Sequence, residues 1–157
     1  MILLPRHFFR YILRNILAVC GQDSYRKILS ESGRDGAITF CKRFAVIHQC
    51  TPLEAVQGYF EEMSIRGWGK FSILALDSEK GLMELQLECS ALLEEDDLPS
   101  GHVIWANAAL GVMLYLQASA NLSCAPQIET NWEEHVSGCR ISVRPRARRS
   151  ENVSANH

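Results

Sequence analysis

Apolar residues recur at helical intervals up to Gly67-Trp68-Gly69 and alternate in twos directly after it, so a helical first half meets a second half with strands. Over Met1 to Cys20, Arg6, Arg10 and Arg14 fall every four positions on one helical face, with Phe8, Phe9, Ile12, Leu13, Ile16 and Leu17 spread over the rest. From Gln22 to Arg66 the pattern predicts three more helices. Gly33 and Gly36 bracket an expected break, after which Ile38, Phe40, Cys41, Phe44, Ala45, Ile47 and His48 repeat helically. Thr51-Pro52-Leu53-Glu54 supplies an N-cap, a proline at the first helical position and a glutamate three residues after the cap, the clearest helix start in the chain. Leu53, Val56, Tyr59, Phe60 and Met63 share one side of that helix.

Beyond Gly69 the period changes. Phe71, Ile73 and Ala75 alternate with Ser72, Leu74 and Leu76, and Asp77 to Gly81 makes a turn. Leu82, Glu84, Gln86 and Glu88 then alternate with Met83, Leu85, Leu87 and Cys89, giving a β-hairpin whose second strand has one polar face. The acidic run Glu94 to Asp97, with Pro99, closes it. His102 to Ala118 is nearly uncharged and too apolar for a surface helix, so it is predicted as a central buried helix. Two further strands are expected around Ala125 to Trp132 and Val136 to Val143. The predicted fold class is α+β: N-terminal helices packed on a four-stranded antiparallel sheet, with one long buried central helix. Residues 1–145 are expected to form a single domain, and 146–157 a basic and polar flexible tail too poor in apolar residues to be anchored.

Composition narrows the partners. A chain of 157 residues is expected to be one domain that buries roughly two thirds of its unfolded surface. It is 47% hydrophobic and 22% charged with a net charge of -2, which lacks the basic excess a nucleic-acid binder uses to displace counterions. The arginines interrupt the apolar N-terminus, so it cannot supply the roughly 20 apolar residues of a membrane span. Six cysteines without a CxxC pair favour a reducing, cytoplasmic setting. A metalloprotease HExxH, a nucleophile elbow and a glycine-rich phosphate loop are all missing, so no catalytic residue is assigned and a non-enzymatic role is the better reading.

The aromatics are the candidate ligand residues. Phe44, Tyr59, Phe60, Trp68, Phe71, Trp105, Tyr115 and Trp132 line a cavity if one exists and otherwise fill a core. Asn107 and Gln117 are the only amides on the apolar segment, and a buried amide needs a hydrogen-bonding partner, here a ligand or a symmetry mate.

Several of these features coincide with a known pattern. The helices, the Gly67-Trp68-Gly69 entry into a hairpin, the apolar helix beginning Val103-Ile104-Trp105 and the closing Cys139-Arg-Ile-Ser-Val-Arg-Pro145 together resemble the 4-vinyl reductase or hydrocarbon-binding domain family. The resemblance implies an α+β sandwich like that of small TRAPP vesicle-tethering subunits, with a small-molecule pocket between helices and sheet, often in a homodimer. It also implies where zinc sits in the family's metal-bearing sensors, a set this chain carries only in part. Ile104 stands at one cysteine position and Asn131 or Trp132 at another, which leaves Glu129 and Cys139, with His102 as a substitute ligand, too few for a tetrahedral site. No cofactor is therefore expected. The function implied is binding or sensing of a hydrophobic small molecule, signalled through a protein partner or used for transport. The alternatives are an accessory protein or enzyme for vinyl-group reduction in (bacterio)chlorophyll synthesis and a TRAPP-like scaffold or tethering subunit.

Overall fold

A computed structural model describes residues 6–90, 101–122, 128–135 and 138–145. The acidic run Glu94 to Asp97, Cys124 and the tail from 146 onward lie outside the described residues. Three helical segments, not four, precede the sheet: two on either side of a kink within α1 (Arg6–His48), and α2 (Pro52–Ile65). Within α1 the backbone leaves helical geometry only at Gly21, at φ 75 and ψ 169, the position that separates the first predicted helix from the second. That combination is open essentially to glycine alone.

The predicted break at Gly33 and Gly36 does not occur. Tyr25, Leu29, Gly33, Ala37 and Cys41 form a buried row at a spacing of four along an unbroken helix. This row lies against α3 (Gly101–Ser119), and at Gly33 the fit is close enough that an added methyl would run into the Ile104 carbonyl oxygen. Gly111 repeats the arrangement from the other side, against the Arg34 carbonyl. Glycine here is selected by helix-to-helix distance, whereas its usual reading in a sequence is chain reversal. Asn107 ties the two helices together, its Nδ2 donating to Ser30 Oγ at 3.3 Å and to the Val103 carbonyl at 2.8 Å.

The start of α2 follows expectation. Thr51 Oγ1 accepts from the Glu54 amide at 3.3 Å, and the Glu54 carboxylate accepts from the Thr51 amide at 2.8 Å, a reciprocal capping box. Its end explains Gly67-Trp68-Gly69. The Gly67 amide donates to Ser64 O and the Trp68 amide to Met63 O, which closes the helix around a left-handed Gly67 at φ 79. Gly69, at φ 151, then lets the chain pass close to Leu87 and the Glu88 carbonyl as it enters the sheet.

Strand β1 (Lys70–Asp77) pairs antiparallel with β2 (Leu82–Glu88), and a turn in which Asp77 accepts from the Lys80 amide at 2.9 Å joins them. A bulge between Ile73 and Ala75 interrupts the expected alternation. Phe71 and Ile73 face the core, Leu74 is 50% exposed, and the inward position passes from Ala75 to Leu76. After α3, β3 (Ile128–His135) and β4 (Gly138–Pro145) complete a sheet in the order β1-β2-β4-β3. Met83, Leu85 and Leu87 of β2 and Cys139, Ile141 and Val143 of β4 are buried beneath the helical layer. α3 is largely buried, packing on α1 and touching α2, β2, β3 and β4, but it is not the one long helix of the fold, since the part of α1 after the Gly21 kink is longer.

Candidate functional site

The row of aromatic side chains carried by α1, α2, β1 and α3 makes one continuous path of ring contacts. Spacing of four on α1 stacks Phe40 on Phe44 at 5.7 Å and brings Phe44 to His48 at 4.1 Å. Phe40 meets Tyr59 of α2 edge-on at 5.2 Å, and Tyr59 meets Phe60 at 5.1 Å. Phe60 reaches Phe71 of β1 at 5.6 Å, and Phe71 reaches Trp105 of α3 at 4.8 Å. Trp105 stands 6.2 Å from Trp68, which also meets Phe9 at 5.0 Å and 82°. Centroid separations of this size with steep interplanar angles are favourable quadrupolar contacts.

The candidate residues thus fall into distinct environments. Tyr59, Phe60, Trp105 and Tyr115 are buried in the core, whereas Phe44, Trp68 and Phe71 are half-buried at its edge. Trp105 and Tyr115 both belong to the core cluster. The Nδ2 of Asn107 is satisfied within the chain by Ser30 and Val103. Gln117 Nε2 donates to the Ser78 carbonyl at 3.2 Å, while its Oε1 is buried without a hydrogen-bond partner among the described residues. Trp132 lies on β3, and its side chain is outside the described residues. Phe9, Phe40 and His48 complete the ring path although none was a candidate; the spacing of four among Phe40, Phe44 and His48 was the available signal.

At one end of the path a groove of about 730 Å³ opens between α1 and α2, with Phe40, Phe44 and Ile47 beside Arg43, His48 and Arg66. Arg66 is paired with Glu62 at 3.1 Å. Beneath Tyr59 lies Cys41, which is fully buried, and burial pushes its thiol up to about 12. Burial likewise raises the Tyr59 phenol, with the nearby Cys41 adding to the effect, and raises that of Tyr115. These groups stay neutral near neutral pH and belong to the buried core.

The metal candidates are spread over three elements: His102 opens α3, Cys139 is buried on β4 and Glu129 lies on β3 with its side chain outside the described residues. Among the described residues no group of three or more His, Cys, Asp or Glu is placed to hold a metal ion. No described helix is long and apolar enough to cross a membrane.

Comparison with known proteins follows this architecture. A family model described as a domain of unknown function, DUF5943, matches residues 1–74, that is α1, α2 and the start of β1. No curated protein matches the chain in sequence. Among solved structures, the phenol-responsive sensory domain of the transcription activator PoxR, crystallised with phenol, matches with a TM-score of 0.67 at 16% identity, over 92% of this chain and 76% of that one. Subunit 3 of the trafficking protein particle complex from Naegleria fowleri, covalently bound to palmitic acid, matches with a TM-score of 0.58 at 8% identity, over 90% of this chain and 93% of that one. The chain therefore has the α+β fold that a small-molecule sensory domain shares with a TRAPP subunit.

Proposed function

We propose that this protein binds a hydrophobic, aromatic small molecule on the ring path between the helices and the sheet, and that it reports or transports that molecule without transforming it. The observation that carries the reading is the path itself. Nine aromatic or imidazole rings from four elements touch in series, buried at the centre and half-buried near Trp68 and Phe44. A ring-shaped ligand fits such a surface because stacking and edge contacts supply both affinity and orientation. The match to a phenol-responsive sensory domain supports the same class of ligand. In this reading the protein works as a homodimer and signals through a protein partner, within the hydrocarbon-binding kinship that Gly67-Trp68-Gly69 suggests.

Thermal shift against a panel of aromatics, fatty acids and tetrapyrroles tests it. Aromatics are expected to raise the melting temperature in a concentration-dependent way. The absence of a shift with every member of the panel would sink the proposal.

A second reading, a scaffold subunit of the TRAPP kind, is favoured by the match over 93% of TRAPP subunit 3 and by the exposed side chains of Val46, Ile47 and Ile65. A stoichiometric protein partner on purification, with no response to ligands, would select it. The vinyl-reduction alternative requires a bound cofactor or redox partner, and colour on purification would favour it.

A further inference from the structure

Every described residue lining the groove beside Phe40 and Phe44 belongs to α1 or to α2 and its C-cap Arg66, so the groove is a separate place from the core between helices and sheet. Two rows of α1 run side by side along it. Phe40 and Phe44 lie four apart, with ring centroids 5.7 Å apart and planes 22° from parallel. Thr39 and Arg43, each one position before a phenylalanine, are also four apart and share a side of the helix. A flat molecule lying along α1 therefore meets half-buried rings on one edge and exposed hydrogen-bond donors on the other.

The charges around the groove are unevenly matched. Asp35 accepts from Arg34 at 2.7 Å and Glu62 from Arg66 at 3.1 Å, so each of these carboxylates already has a guanidinium. The Arg43 side chain has neither an ion pair nor a hydrogen bond among the described residues. An exposed arginine on its own holds a counter-ion only weakly. Here the same cavity of about 730 Å³ adds apolar ground from Phe40, Phe44 and Ile47, and its volume is that of a small-molecule site, roughly 300–1,000 Å³.

We propose that the groove between α1 and α2 is a ligand site for an ionised aromatic carboxylic acid, with the ring against Phe40, Phe44 and Ile47 and the carboxylate on the Arg43 guanidinium. The Thr39 hydroxyl donates a further hydrogen bond to the carboxylate. A planar carboxylate offers two oxygens that match the forked donor edge of one guanidinium. A phosphate monoester, with close to two charges, would leave part of its charge facing Asp35 and Glu62. The site goes beyond the ligand-binding reading above and depends on neither its pocket nor its ligand.

The test titrates naphthoate and its uncharged counterpart naphthamide calorimetrically into the full chain. The wild type is expected to bind naphthoate about ten-fold tighter than naphthamide. Arg43→Gln, an exposed change between residues of similar helix preference, should bring naphthoate down to the level of naphthamide. In the wild type, nuclear Overhauser contacts should join the naphthyl protons to the rings of Phe40 and Phe44, and the Arg43 Nε–H resonance should shift with naphthoate alone. Failure of both probes to bind, equal binding of the two by the wild type, or a preference for naphthoate that survives Arg43→Gln overturns the site. Naphthyl contacts to Trp105 in place of Phe40 and Phe44 also overturn it, while leaving the ring-path reading standing. If naphthoate behaves as expected and no neutral aromatic raises the melting temperature, the groove site stands and the ring-path reading falls.

Discussion

Gly33, Gly36 and Gly111 all lie in helices, yet each answers to a different neighbour. A methyl at Gly33 or Gly111 would strike the backbone of the facing helix, whereas one at Gly36 would meet nothing within 4 Å. Gly33→Ala and Gly111→Ala are therefore expected to cost about 1–3 kcal/mol each, through forced separation of α1 and α3. Gly36→Ala is expected to stabilise by up to about 1 kcal/mol, because alanine is the better helix former. Urea unfolding of the three variants checks both signs. Cys41 makes a second prediction at this scale. Its folded thiol titrates at about 12 against an ordinary 9.0, so the unfolded chain gives up its proton first as pH rises. The stability it contributes is fully present below about pH 9 and is lost as pH climbs toward about 12. The urea midpoint of the wild type should thus fall more steeply over that interval than that of Cys41→Ala. Native protein treated with iodoacetamide near neutral pH should be labelled at the exposed Cys20 and Cys89 and spared at Cys41.

Helix α2 was readable from its sequence because both its ends are local. The capping box uses residues three apart, and the closing glycine uses hydrogen bonds back to Met63 and Ser64. Thr51→Ala should accordingly cost about 1 kcal/mol, seen as a lower unfolding midpoint. The Glu54 carboxyl is held below its usual range by the Thr51 amide and hydroxyl. The stability supplied by the Glu54 carboxylate is present above the unfolded carboxyl value and is lost as pH falls through the lower folded one, so Glu54→Ala and wild type should draw together in strong acid, whereas the deficit of Thr51→Ala on the Glu54 amide persists. Both strands of the first hairpin were legible for the same reason, since alternation is a local property. The bulge at Leu74 was not, because apolar residues occupy Ile73 to Leu76 without a break and alternation cannot say which of them steps aside. The length of α1 was also hidden: whether a glycine ends a helix or admits another helix depends on α3, far along the chain.

For the whole molecule, the layer of helices on an antiparallel sheet was legible, and so were most members of the ring path. What could not be read was their order. Trp105 touches Phe71 and Trp68 only because α3 lies over the first hairpin, and Phe9 joins them only because α1 extends past Gly21. That the Trp105 N–H has no hydrogen-bond partner among the described residues is a property of that assembly and has no sequence signature. The sheet order has a kinetic consequence. Each hairpin closes through a short connection, but the seam joining β2 to β4 pairs Leu85 with Ile141 across the whole of α3. Closing so long a loop costs more entropy than closing either hairpin, so the seam is expected to form last. Leu85→Ala and Ile141→Ala should then speed unfolding while leaving the refolding rate nearly unchanged, and stopped-flow chevrons would show it. Until that seam closes, a newly made chain holds two finished hairpins with bare edges, and it is in that interval that the protein is most exposed to aggregation.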